Sequence, residues 1–275
     1  ATGAVAIGTL SGSGTQGIKA VAIGDAAGQT AQATLSVAIG NLAGKLTQAT
    51  KAVAIGNQCG ETGQGQSAVA IGDNVGSAGQ GEDSIAIGRQ TARTNQGDTC
   101  IAIGVNAGDQ DQEDEAIAIG SQAGQTNQGE FAIAIGVQAG GTGQLANAIA
   151  IGQSAGRSTQ GQFAVAIGNA AGQSAQGQSA VAIGIVAGNS AQGNGAVAIG
   201  FNSGRASQGD KSIAIGQQAG QANQPANSII INASSGVLNH TTHAGFYVKP
   251  VRNGSKGDAT GTLYYNAPTG EIFYA

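Results

Sequence analysis

The sequence predicts an all-β protein, a parallel β-solenoid with one coil for every 16 residues. Glycine returns every 16 residues from Gly8 to Gly216 without a slip, and Ile always precedes it. A period this strict indicates stacked coils, because a single insertion would break the stacking. The composition agrees, since 49 Gly, no Trp, no Met and 9% charged residues supply small side chains for a thin core.

The chain divides into two predicted regions. Residues 1–236 carry about fifteen repeats and form the rod, whereas residues 237–275 form a small aromatic-rich C-terminal β cap. Six of the nine aromatic residues fall in the last 30 positions, and the run TLYYNAPTGEIFY predicts a strand, a Pro-Gly turn and a second strand. We expect the cap to seal the last coil and join the chains; a receptor-binding tip is the alternative.

A short strand is predicted at positions 5 to 7 of each coil, where coil 1 is residues 1–16. Position 5 is Val or Ile, position 6 is Ala until Ile230, and position 7 is always Ile. The β-branched residues therefore share one face of the strand and Ala the other. We expect the β-branched face to fill the core and a second chain to cover the Ala strip. The core residues on this hypothesis are Ile23, Ile39, Ile55, Ile71, Ile87, Ile103, Ile119 and Ile135.

Positions 8 and 16 are interpreted as a turn and a hydrogen-bond ladder. Gly at position 8 yields only to Asn232, and Asn is the residue that best tolerates the left-handed region. The predicted turn residues are Gly24, Gly40, Gly56 and Gly72. Gln recurs at position 16, where stacked amides can hydrogen-bond along the axis. The predicted ladder includes Gln64, Gln80, Gln96 and Gln128.

Charge and hydropathy exclude several functional classes. With a net charge of −4 and 11 Lys and Arg spread along the chain, no basic stripe indicates nucleic-acid binding. No apolar run approaches the ~20 residues of a membrane span, so we expect no membrane insertion. GSGTQG at 12–17 fits a dinucleotide fingerprint but opens no helix, and we expect no cofactor. Cys59 and Cys100 are interpreted as small core residues.

Two clusters offer candidate metal ligands. An acidic run could bind Ca²⁺ or could be a solvated turn; its members are Asp109, Asp111, Glu113, Asp114 and Glu115. His240 and His243 could ligate a metal across a three-fold axis, or could be polar residues of the cap. No Ser-His-Asp set can be assembled from the spacing, and we predict that the protein is not an enzyme.

The unit (A/S)-(V/I)-A-I-G-x-x-A, recurring over residues 4–236, resembles the head repeats of trimeric autotransporter adhesins. Similar repeats occur in phage and large-virus fibre proteins, and the segments GFYVKPVRN and LYYNAPTGEIFYA look like the tail of viral fibre proteins. The resemblance implies a left-handed β-roll in which three chains wind around one axis outside the cell or virion. It also implies that Val21 and Ile23 fill cores and that Gly24 makes the turn.

The predicted function is that of a structural fibre, extracellular or on a virion, that spans distance and presents an attachment surface to a cell-surface or glycan receptor. One alternative is a subunit of a filament assembled end to end through open coil edges. The other is an ice-binding solenoid, which needs a matched Thr column. Position 14 carries Thr30, Thr62, Thr94, Thr126 and Thr142, interrupted by Leu46, Ala78 and Gln110.

Overall fold

The computed structural model describes residues 2–251, 263–266 and 271–274, and it confirms the parallel β-solenoid. The chain winds into about 15 coils of 16 residues, and the described ranges hold strands, turns and bends. Positions 5 to 7 of successive coils form a 16-stranded sheet, here called sheet A. Positions 14 to 16 of ten coils form a second sheet, sheet B. No stretch of the described chain forms a helix long and apolar enough to cross a membrane.

Strands are numbered in chain order. Sheet A consists of β1 (Val5–Ile7), β2 (Val21–Ile23), β3 (Val37–Ile39), β4 (Val53–Asn57), β6 (Val69–Asp73), β8 (Ile85–Arg89), β10 (Ile101–Ile103), β12 (Ile117–Ile119), β14 (Ile133–Ile135), β16 (Ile149–Ile151), β18 (Val165–Ile167), β20 (Val181–Ile183), β22 (Val197–Ile199), β24 (Ile213–Gly216), β25 (Ile229–Asn232) and β26 (Phe246–Lys249). Sheet B consists of β5 (Thr62–Gln64), β7 (Ala78–Gln80), β9 (Thr94–Gln96), β11 (Gln110–Gln112), β13 (Thr126–Gln128), β15 (Thr142–Gln144), β17 (Ser158–Gln160), β19 (Ser174–Gln176), β21 (Ser190–Gln192) and β23 (Ala206–Gln208). An antiparallel pair contains β27 (Leu263–Asn266) and β28 (Glu271–Tyr274).

The strands of both large sheets pair in parallel with like residues in register. In sheet A, Val21 lies beside Val37 and Ile23 beside Ile39. The coil boundary keeps the same register, because Gly24 N donates to the carbonyl of Ile7 at 2.8 Å. Backbone hydrogen bonds therefore run along the rod and join each coil to the next.

The interior between the two sheets is narrow and is filled by small side chains. Ala at positions 4, 6 and 11 is fully buried in most coils, for example Ala20, Ala22 and Ala27. Gln at position 16 is the bulky buried residue of the repeat, and Gln32 is 1% exposed. The amide of Gln32 crosses the interior to the carbonyl of Val21 at 2.8 Å. A Gln that spans the gap leaves room for Ala alone on the facing strand.

The assignment of position 7 to the interior of the coil is therefore wrong for the single chain. The Ile side chains point outward from sheet A, and Ile55, Ile103 and Ile135 are 36–37% exposed. All eight predicted core residues are half-buried or exposed on the outer face. They are Ile23, Ile39, Ile55, Ile71, Ile87, Ile103, Ile119 and Ile135. The two faces of the strand are exchanged relative to the prediction, so the uncovered strip is made of Val and Ile instead of Ala.

Corners of the coil are formed by residues in the left-handed region. Positions 3, 10 and 15 have φ near +55° even where the residue is large, as at Phe131 (φ 58°) and Val186 (φ 60°). The backbone N–H of each of these residues points along the rod. Val186 N donates to the carbonyl of Asn169 in the preceding coil at 2.9 Å. Because the adjacent coil holds the corner in place, a conformation that is costly for one residue is repeated throughout.

The interior widens at the last coils of sheet A. Ala214 lies beside Ile230 in β25, and Ile230 lies beside Tyr247 in β26. Ile230 is fully buried, and Leu238 and Tyr247 pack against its cluster. Of the predicted cap, the Pro-Gly turn between β27 and β28 lies outside the described residues. The boundary at residue 236 and the cap at 237–275 stay predictions.

Candidate functional site

The outer face of sheet A is a continuous apolar surface, which we call the Val/Ile face. It is formed by positions 5 and 7, where every coil contributes two β-branched side chains. In coil 9, Ile133 is half-buried and Ile135 is 37% exposed, whereas Ala134, which lies between them in the sequence, is fully buried. With strands about 4.8 Å apart, fifteen coils make a strip ~70 Å long. Contiguous apolar patches of several hundred Å² often mark interaction sites.

The buried Gln row holds the Val/Ile face in place from behind. Gln48 donates to the carbonyl of Val37 at 2.8 Å and to the amide oxygen of Gln64 in the next coil at 3.1 Å. Among the predicted ladder residues, Gln64 donates to Gln80 at 3.2 Å, and Gln128 donates to Gln144 at 3.4 Å. The side-chain oxygen of Gln96 is buried without a hydrogen-bond partner in the described structure, so the ladder is interrupted there.

Gly at position 8 follows the Val-Ala-Ile or Ile-Ala-Ile segment of each coil from Gly8 to Gly216. The four predicted turn residues have positive φ: Gly24 (+132°), Gly40 (+129°), Gly56 (+123°) and Gly72 (+138°). A Cβ on Gly24 would overlap the carbonyl oxygen of Gly40 in the next coil. Both the backbone conformation and the stacking distance therefore require glycine here.

Sheet B presents a different outer surface, which we call the hydroxyl face. Its position 14 carries mostly Thr, Ser and Ala, and Thr142, Ser158 and Ser174 are exposed. The Thr column of the ice-binding hypothesis lies on this face. Leu46, Ala78 and Gln110, which interrupt the column in the sequence, are exposed on the same row.

The carboxylates of the acidic run do not converge on one point in the described structure. Asp109 is 2% exposed and is held by Arg93, with Nε–Oδ1 and Nη2–Oδ2 distances of 2.6 and 2.7 Å. These hydrogen bonds raise the pKa of the Arg93 guanidinium above its ordinary value. The other carboxylates separate around the turn: Asp111 accepts from Asn95, Glu113 from the backbone of Glu130 and Asp114 from that of Asp98, while Glu115 is exposed at a corner. No three metal-ligating side chains converge anywhere in the described ranges.

His240 and His243 lie together after the last coil. Their ring centroids are 5.8 Å apart, and Tyr247 stacks on His240 at 4.1 Å. The backbone N–H of His243 donates to Nδ1 of His240 at 3.4 Å. The pair has no third ligand within the described residues, so one chain alone does not complete a metal site.

The two cysteines are confirmed as small core residues. Cys59 occupies position 11 and Cys100 position 4, and both are fully buried. Burial raises the pKa of the Cys59 thiol and raises that of Cys100 from 9.0 to about 11. Both thiols stay protonated at neutral pH.

An open groove lies on the turn after sheet B and was not predicted. Position 1 is Gly in most coils, but Glu113 and Leu145 project on either side of Gly129. The groove encloses about 530 Å³ and includes Asn127 and Gln162 in its lining. The signal in the sequence was that a long side chain replaces the Gly of position 1 in two coils, at Glu113 and at Leu145. The groove could contact a ligand but holds no catalytic set.

Comparison with known families finds a match within the repeat region. Residues 175–203 match the family model of the YadA head domain repeat, in two copies. These coils are similar to YadA head repeats. The same motif and register run through the other strands of sheet A from β1 to β24, and the predicted likeness to trimeric autotransporter adhesin heads is confirmed. None of the curated proteins matches the chain.

The match supports an adhesin-like structural protein. YadA heads form homotrimers, are exposed on the cell surface and are typically not enzymes. These are properties of the family. The feature of this chain that bears on trimer formation is the Val/Ile face.

Proposed function

We propose that the chain is the rod of a homotrimeric fibre that lies outside the cell or virion, spans distance and presents an attachment surface to a receptor. The observation that carries the proposal is the Val/Ile face, an apolar strip that the single chain leaves open along its whole length. YadA head repeats in coils 11 to 13 support the same conclusion.

Burial of the Val/Ile face would stabilise association. The strip has an area of roughly 500 Å² per chain if it is one strand wide, and its burial contributes about 12 kcal/mol per chain. The cost of association is about 4–15 kcal/mol for each chain added. Three chains together bury three strips and pass through two association steps, so the balance favours the trimer.

A ring of three copies covers every strip with the same surface. When each chain turns its Val/Ile face toward a common axis, Ile135 and its equivalents meet their copies, and sheet B faces outward. The hydroxyl face and the groove beside Leu145 then remain accessible. Receptor contact is assigned to these outward positions because their residues vary from coil to coil.

Light scattering after gel filtration tests the assembly, and electron microscopy tests its shape. The expected result is a mass of three chains and rods of one fixed length. A single-chain mass would contradict the proposal, and threads of indefinite length would favour the filament subunit instead. Antibody labelling of intact source cells or particles should detect the rod at their surface; labelling only after lysis would refute the extracellular placement.

A further inference from the structure

Two rows of exposed side chains border the Val/Ile face. Exposure alternates across the face, so that positions 3, 5, 7 and 9 point outward while 4 and 6 point inward. In coil 2 the borders are Lys19 and Asp25, both exposed. We call the two borders the position-3 row and the position-9 row.

In a cyclic trimer these rows meet each other. A head-to-tail contact brings the position-3 row of one chain against the position-9 row of the next, three times around the axis. Closed three-fold symmetry also places equivalent coils at one height. The residues that face each other across a seam therefore belong to the same coil, or to adjacent coils if the strands tilt.

In two coils the charges of the two rows are complementary. Coil 2 carries Lys19 and Asp25, and coil 6 carries Asp83 and Arg89, so the order of the signs is reversed. All four are exposed, and none takes part in an ion pair within the described part of the chain. Every other charge in these rows over coils 1–15 faces a neutral side chain of its own coil: Lys51 faces Asn57, Asp73 faces Ser67, Glu115 faces Ser121 and Lys211 faces Gln217.

Shifted registers retain less of this complementarity. A shift of one coil in one direction places Asp83 against Asp73, two like charges. A shift in the other direction pairs Lys51 with Asp73, which is one ion pair instead of two, and places Asp83 against Val105. Same-coil pairing avoids both conflicts.

Side-chain size follows the same register. Phe201 is 46% exposed in the position-9 row, and its same-coil counterpart is Gly195, which has no side chain. In coil 12 the exposed Ile185 faces Ser179, and in coil 9 Phe131 faces Val137. Large residues meet small or apolar ones in these coils, whereas Phe163 in coil 11 faces Asn169.

From this pattern we propose that the two rows form an inter-chain register code, whose partner is a second copy of this chain. Lys19 pairs with the neighbouring chain's Asp25, and Asp83 pairs with its Arg89. The reversal of sign between coils 2 and 6 fixes the axial alignment, as charges flanking the seam of a coiled coil fix partner choice. The inference rests on the proposed trimer and adds the surface and the register by which it forms.

Charge reversal tests the pairs. The half swap K19D/D83R places like charges at all six seam contacts, and it should raise the chain concentration of half-dissociation about tenfold at low salt. Adding D25K and R89D restores every pair and should restore the wild-type value. The matched control K211D/E115R makes the same two charge changes opposite Gln217 and Ser121, so it should change little. At 0.5 M salt the half swap and the wild type should converge.

Cysteine cross-linking tests the register independently. Oxidised S179C/I185C should migrate as a covalent trimer on a denaturing gel, whereas S179C/N169C and S179C/F201C, which require a one-coil shift, should not. Positions 3 and 9 are about 20 Å apart along the chain, so a bond within one chain is out of reach. The native Cys59 and Cys100 are buried and do not interfere.

The outcomes separate the two proposals. A trimer in which the half swap has no effect, or in which a shifted pair cross-links as readily as the same-coil pair, overturns the register code and leaves the fibre intact. A wild-type protein of single-chain mass overturns both.

Discussion

The outer faces of sheets A and B come from the same 16-residue unit and the same parallel register, yet their chemistry is opposite. Sheet A presents Val and Ile in every coil, with Ile135 at 37% exposure. Sheet B presents Thr, Ser and Ala, with Ser158 and Ser174 exposed. Both sheets repeat with the same 16-residue period, so periodicity alone does not require association. In the proposed trimer, the Val/Ile face meets copies of the chain and the hydroxyl face meets water.

The largest effect is expected from charge on the Val/Ile face. I119D/I135D would place six carboxylates around the trimer axis and should raise the half-dissociation concentration by more than about a thousandfold. The matched variant T126D/T142D introduces the same charges one coil apart on the hydroxyl face and should stay trimeric. Sedimentation velocity gives the mass and circular dichroism reports the strands. Equal behaviour of the two variants would remove the distinction between the faces.

The next effect concerns the link between the sheets. Gln144 donates to the carbonyls of Ile133 and Ala148 at 2.9 and 3.0 Å and to Gln160 at 3.2 Å. Q144L keeps the bulk but leaves these acceptors unpaired, so it should lower the free energy of unfolding by about 2–3 kcal/mol in a urea titration. Q162L, in the lining of the groove, should change the free energy of unfolding by less than about 0.5 kcal/mol. An equal loss in both would mean that the buried amides contribute nothing specific.

A smaller effect is expected where a turn joins the sheets. Asp109 is buried and accepts two hydrogen bonds from Arg93. In the other ion pair, Lys45 Nζ and Glu61 Oε1 are 3.4 Å apart and both side chains are partly exposed. D109N should therefore lower the free energy of unfolding by about 1–2 kcal/mol, and E61Q should lower it by about 0.5 kcal/mol or less. Thermal unfolding at equal concentration would measure both; a larger loss for E61Q would contradict the ranking.

The smallest effect is expected in the reactivity of the buried cysteine thiols, which reports whether reagents reach the interior of the coil. Cys100 has a pKa of about 11, above its ordinary 9.0, so folding favours the protonated thiol. This contribution to stability is present below pH 9 and is lost as the pH rises toward 11. At pH 8, iodoacetamide should leave Cys59 and Cys100 unmodified in the folded chain and modify both in urea. A cysteine introduced by S158C on the hydroxyl face should react at once. Rapid labelling of Cys100 in the native rod would show that the interior opens.

The 16-residue period was sufficient to predict the solenoid and its register, such as Ile23 beside Ile39, because stacking requires identical spacing. It could not decide which face of Val-Ala-Ile points inward, since both faces alternate with the same period. The deciding residue is Gln32, whose amide reaches Val21 and leaves space for Ala22 alone. An uncharged polar residue in every coil was the available signal.

Corners and side-chain clusters were harder to predict. Phe131 and Val186 adopt positive φ because adjacent coils hold them there, and neither residue type prefers that region. The same corners spread the acidic run: Asp111 and Glu115 both sit at positive φ, which turns neighbouring carboxylates apart. Proximity in sequence was therefore a poor guide to a metal site.

The uniform Ala row inside the rod has an evolutionary consequence. Any 16-residue unit with Ala at its inner position fits above or below any other, so duplicating or deleting one unit would move the tip of the molecule by about 4.8 Å without redesigning a core. Past Ala214 the inner positions enlarge to Ile230 and Tyr247, and units there are no longer interchangeable. Reach can thus be tuned in fixed increments by recombination upstream of that point, while the terminal segment is inherited as a whole.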